Sequence, residues 1–97
     1  MIIWSLLAVE RLECIRDFIL KDNINAAEDT IEAIFDKVES LYENGERGRI
    51  VPEVNRENIR EIFHGEYRII YKLEVDKIII LTIRNFKQLL PETDILD

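Results

Sequence analysis

The sequence predicts an α+β domain: an N-terminal strand and a two-helix antiparallel hairpin packed on one face of a small, mainly antiparallel sheet, in the order β-α-α-β-β-β. Three observations predict it. Apolar residues recur at helical spacing through two segments before Gly45. After Gly45 the period shortens, in segments rich in Ile and Tyr. Turn formers separate the segments, and the connections are short. The chain has 97 residues, 47% of them apolar, which is enough for one domain with a modest core spanning 1–97.

The elements follow in order. "IIW", residues 2–4, reads as a short strand, and Ser5 is placed to cap the helix after it. From Leu6 to about Lys21, Ala8, Leu12, Ile15 and Ile19 mark one helical face. "KDNIN" interrupts the pattern. A second helix, from about Asn25 to Glu43, repeats it with Ile31, Ile34, Phe35, Val38, Leu41 and Tyr42, and Gly45 lies near its C-cap. "NGERGRIVPE" reads as a loop, and "NIREIFH" as a strand. "GEY" reads as a tight turn in which Gly65 supplies positive φ. "YRIIYKLE" alternates, with Tyr67, Ile69, Tyr71 and Leu73 on one side. "KIIILTIR" is apolar on both faces, as a central strand is. The tail after Asn85 contains Pro91 and is expected to form a short element and then a loose end, with Glu92–Asp97 as a possible docking segment.

Charge is distributed unevenly. The net charge is −7. Residues 1–44 hold ten acidic and four basic side chains, whereas 45–87 hold nine basic and seven acidic. Five of the eight arginines lie between Gly45 and Leu73. The acidic half repels nucleic acid, and the middle can offer a basic patch. No apolar run is long enough to span a bilayer, so no membrane partner is expected. The N-terminus lacks the basic region of a signal peptide, and the lone Cys14 suits a reducing, cytoplasmic setting as a small buried residue. One His and one Cys far apart give no metal spacing, "GERG" is no phosphate loop, and no cofactor is expected. His64 reads as a solvated turn residue, and Trp4, Tyr42, Tyr67 and Tyr71 as packing residues. Arg68, mid-strand, must reach solvent on the sheet's open face or pair with an acid. With Arg60 and Arg84 it suits either bidentate phosphate contact or cross-strand pairing with Glu61, Glu66 or Glu74.

Four motifs in order carry a resemblance: "WS" before a helix containing "LECIRDFI", then "GRIVPE", "IREI" and "YRIIYKLEVDKIIILTIRNFKQLL". Together they resemble the RelE/ParE superfamily of type II toxin–antitoxin toxins, which includes plasmid stabilisation proteins. The resemblance implies a cytoplasmic prokaryotic toxin covered by a cognate antitoxin. RelE-like members are metal-independent endoribonucleases that cut mRNA on the ribosome. ParE-like members share the fold and poison DNA gyrase by binding. The strand arginine of the nuclease branch falls on Arg68, which would clamp phosphate, and Glu53 lies where some members place a carboxylate. After the last strand, where many members have His or Arg, this chain has Asn85, Phe86, Lys87 and Gln88. Lys87 retains charge there, and the loop lysines are replaced by Arg47 and Arg49. The nuclease branch would therefore use Arg68, Glu53 and Lys87, with Arg49, Arg60, Arg84 and Asn85 as binding residues. Departures from that pattern, and a net charge poorly matched to ribosomal RNA, place the chain nearer the ParE-like branch. The alternatives are a RelE-like nuclease and a degenerate member that binds only antitoxin.

Overall fold

Ser5 decides where the first helix begins. Its hydroxyl accepts the Ala8 N–H at 3.0 Å and donates to the Leu81 carbonyl at 2.9 Å. It thereby caps α1, Leu6–Leu20, and ties the helix start to the last strand. The strand before it is β1, Ile2–Trp4. Asn23 caps α2, Ile24–Glu39, by accepting the Ala26 N–H at 3.1 Å. The sequence pattern carries this helix to Glu43. In the computed structural model, which describes residues 1–88 and 90–95, it tightens into a 3-10 turn over Ser40–Tyr42, and a second follows at Gly45–Arg47.

Four further strands complete one sheet: β2 Arg49–Ile50, β3 Ile59–His64, β4 Tyr67–Leu73 and β5 Ile78–Asn85. The order is β1-β5-β4-β3-β2. β1 runs parallel to β5, and every other pair is antiparallel. The short β2 falls within a segment that reads as loop, because Gly48 and Pro52 flank only two pairing residues. Gly65, at φ 55°, makes the two-residue turn that sets Phe63 opposite Arg68 and Ile62 opposite Ile69. Between β4 and β5 the register slips: Ile70 faces Thr82, yet Tyr71 faces Ile80, so Leu81 bulges.

The sheet is covered on both faces. Toward the helices, Ala8, Leu12, Ile34 and Val38 pack on Ile62, Ile69, Tyr71, Ile80 and Ile83. On the other face, Val51, Ile59, Ile70, Leu81 and Leu90 form a second cluster, with Val54, Ile79 and Ile95 beside it. This explains why β5 is apolar throughout. The expected short element of the tail is a 3-10 turn at Glu92–Asp94, which closes the second cluster. The loose end expected after it, Leu96 and Asp97, lies outside the described residues.

Three expected core residues are not buried. Cys14 is exposed, because its helical angle puts it beside Arg11 and Phe18 and off the Ala8–Leu12 side. Tyr42 is exposed because the 3-10 turn rotates it away from the α2 stripe. Phe35 is 42% exposed, with its ring tilted on Trp4 at 5.1 Å between centroids.

Candidate functional site

Strand alternation puts Glu61 of β3, Arg68 of β4 and Arg84 of β5 on the face turned away from the helices. That face is not open. The loop after β2 and the tail lie over it, so Arg68 is only 5% exposed and Glu61 1%. A guanidinium there requires acceptors on every side. Arg68 Nε donates to Glu61 Oε1 at 2.7 Å, and Nη2 lies 2.6 Å from the same oxygen. Nη1 and Nη2 donate to the two oxygens of Glu53 at 2.7 and 2.9 Å. The other oxygen of Glu61 accepts from Arg49 Nε at 2.7 Å. The result is a chain, Arg49–Glu61–Arg68–Glu53, running from the sheet edge under the loop.

The electrostatics follow from this geometry. The hydrogen bonds from Arg68 hold the Glu53 carboxyl at a pKa of about 2, below its ordinary 4.5, against the opposing effect of burial. The Arg68 guanidinium is held still more firmly protonated, first by Glu53 and then by Glu61. Glu61 and Arg68 are diagonal cross-strand neighbours, because Glu61 pairs with Ile70. The pairing with Glu61 is therefore legible once the Gly65 turn fixes the register. Glu53 is not, because its position depends on how the loop folds back.

A third carboxylate organises the other end of this face. Asp94, in the tail, accepts from Thr82 Oγ1 at 3.1 Å, Arg84 Nη1 at 3.2 Å and Arg11 Nη2 at 3.4 Å. Sequence reasoning missed Asp94, Arg11 and Thr82, since no local pattern joins a tail acid to the first helix. Arg60 lies on the helix side of β3. Its Nε donates to the Glu57 carbonyl at 2.9 Å and its Nη1 to the Gly48 carbonyl at 3.0 Å, so it braces the loop. The Tyr71 hydroxyl helps, donating to the Gly45 carbonyl at 2.7 Å and accepting the Gly48 N–H at 2.9 Å.

Of the expected site residues, the fold gathers Arg49, Glu53 and Arg68 into one network. It holds Arg84 on Asp94 and Arg60 on backbone carbonyls. Asn85, the last residue of β5, and Lys87, in the turn after it, stand apart, and the Asn85 side chain accepts the Lys87 N–H at 2.9 Å. Among the expected site residues, the cations that face solvent, Arg49 and Lys87, are at the edges. Arg49 lies 5.1 Å over the Phe63 ring and, with Lys37 and Arg47, lines a cleft of about 250 Å³. Lys87 sits 5.8 Å over Phe86. His64 is half-buried at the end of β3. Among the described residues, no cluster of three or more His, Cys, Asp or Glu is placed to hold a metal, and no helix is long and apolar enough to cross a membrane.

The family model for the ParE toxin of the type II toxin-antitoxin system, parDE, matches residues 2–90. Nine chains of solved structures are also similar. One, from the chromosomal ParDE TA system of P. aeruginosa, superposes with a TM-score of 0.70 at 18% identity, over 87% of this chain and 92% of that one. At that identity the likeness is one of fold. No curated protein matches the sequence.

Proposed function

The chain belongs to the ParE toxin family of type II toxin–antitoxin systems, and on that basis we propose that it inhibits DNA gyrase by binding and is neutralised by a cognate antitoxin. One observation carries the choice of mechanism. The arginine that would clamp a phosphate in a ribosome-dependent nuclease, Arg68, is buried with its donors held by Glu53 and Glu61. Seating a phosphodiester there would expel a carboxylate and leave it uncompensated, at a cost of several kcal/mol. A toxin that works by binding needs no such vacancy.

The target-facing residues are those that keep their polar groups at the surface: Arg49 beside Phe63 at the β2–β3 edge, Asn85 at the end of β5 and Lys87 just after it. Arg60, Arg68, Arg84 and Glu53 hold the fold that presents them. The setting is the cytoplasm, where gyrase and antitoxin are both met.

Induced expression without antitoxin tests this, read by primer extension on cellular mRNA beside a gyrase cleavage assay. Trapped gyrase–DNA complexes with intact mRNA are expected. Codon-positioned mRNA cuts would establish the nuclease alternative, and antitoxin binding with neither effect would mark a degenerate member.

A further inference from the structure

Where the end of α2 meets the β2–β3 edge, cations gather of which the toxin reading uses only Arg49. Two clefts, of about 250 and 320 Å³, have Lys37, Ser40 and Arg47 in common as walls. Arg49 and Phe63 also line the first, and His64 the second. Most buried arginines of this chain meet a carboxylate: Arg68 has Glu53 and Glu61, and Arg84 has Asp94. Here the balance differs. Lys37, half-buried in the last turn of α2, and the exposed Arg47 have no ion-pair partner among the described residues. Arg49 spends its Nε on Glu61 and keeps both Nη groups free.

The acids nearby do not restore neutrality. Glu61 is already held by Arg68, and Asp36, which lines the second cleft, pairs with neither Lys37 nor Arg47. Like charges held together repel. The loop gives them little room to part, because Tyr71 and Arg60 bind its backbone at Gly45 and Gly48. Three cations fixed in this way form a site prepared for an anion. One face of the Arg49 guanidinium lies on Phe63, and the side chain is 61% exposed, so its other face is open to an aromatic base. Net charge chooses between a small ligand and a polymer. A body at −7 repels a long polyanion, whereas a mononucleotide meets only the field of the cleft.

We propose that this cleft binds a free nucleoside di- or triphosphate. Its phosphates lie on Lys37, Arg47 and the Nη groups of Arg49, and its base stacks on the outer face of the Arg49 guanidinium. The inference does not depend on the toxin reading.

His64 reports on it, because it lines the second cleft and is the chain's single histidine. Its imidazole NMR signals are followed as ATP is added to the purified full chain. A saturating shift is expected by about 1 mM ATP. Sodium sulfate at matched ionic strength, and adenosine, should produce none. Lys37→Glu with Arg47→Glu should weaken ATP about tenfold or more, whereas Asp76→Lys, on the distant β4–β5 turn, should leave it unchanged. Phe63→Leu removes the ring beneath Arg49, so it should weaken ATP severalfold and leave inorganic triphosphate unaffected. Circular dichroism checks that the variants remain folded, and the titration of the unaltered chain stands without them. No saturating shift, an equal response to sulfate, or undiminished ATP binding by the double variant would overturn the proposal. So would a short single-stranded DNA without terminal phosphates that shifts His64 at lower concentration than ATP, or triphosphate binding as tightly as ATP. The titration contains no gyrase, so its failure and that of the toxin reading are told apart.

Discussion

Arg68 is surrounded by acids because a buried guanidinium is tolerated only when each side of its donor fork has an acceptor. Removing one of those acids leaves charge without an answer. Glu61→Ala is expected to lower stability by about 3 kcal/mol in chemical denaturation, a large share of what a domain this size has. The double variant Glu61→Leu with Arg68→Met should recover most of that loss, since an apolar pair of similar volume fills the site without the charges. Growth inhibition by Arg68→Ala should therefore fall in step with its folded fraction. Glu53 gives a pH signature. Its carboxyl titrates near 2 in the folded chain against 4.5 ordinarily, so its contribution is complete above 4.5 and is lost as pH falls through about 2. Glu53→Gln should flatten the decline in stability within that window and lower stability above it, as followed by thermal melts across pH. Gly48 is constrained by packing and not by backbone angle. An added Cβ would lie 2.5 Å from the Tyr71 hydroxyl and 2.6 Å from the Glu61 carbonyl oxygen. Gly48→Ala should cost about 1–3 kcal/mol, with Arg49 and Glu61 displaced together.

At the scale of elements, the helices are secured by their caps and the sheet by its last strand. Ser5→Ala removes a cap and also the bond that holds the bulged Leu81, so a loss of about 1–2 kcal/mol is expected, with faster amide exchange at both the start of α1 and the middle of β5. The helices, the Gly65 turn and the long strands were legible because each is written in a local period or a turn residue. β2 was not, because two residues cannot display a period. The parallel placement of β1 beside β5 was not, because nothing near residue 2 refers to residue 78. The site divided along the same line. The Glu61–Arg68 pairing was among the alternatives the strands allowed, whereas Asp94 holding Arg11 and Arg84 joins three distant segments and leaves no trace in spacing. Tyr42 and Phe35 sat in an apolar pattern and Cys14 read as a small buried residue, yet all three emerged at the surface, because a helix periodicity marks a face without saying how far its flanks are covered.

For the whole molecule, the internal pairing of arginines leaves the net charge of −7 to govern encounter. A toxin that seized nucleic acid through cations would bind more weakly as salt rises. This chain should show the opposite or no slope: trapping of gyrase on DNA is expected to hold or increase from roughly 50 to 200 mM salt, because screening relieves repulsion between an acidic protein and DNA. The sheet also joins distant parts of the chain, with the first strand beside the last. The Ser5 hydroxyl and the Leu81 carbonyl it meets are 76 positions apart, and among the described residues β1 has only β5 as a neighbouring strand. During synthesis, then, the first strand to leave the ribosome waits for the last one, and the helical hairpin emerges long before the sheet that will support it. A nascent chain carries no finished fold. Any activity that needs the finished fold is therefore expected to begin at release from the ribosome and not during translation, because β1 stays unpaired until β5 is free to join it.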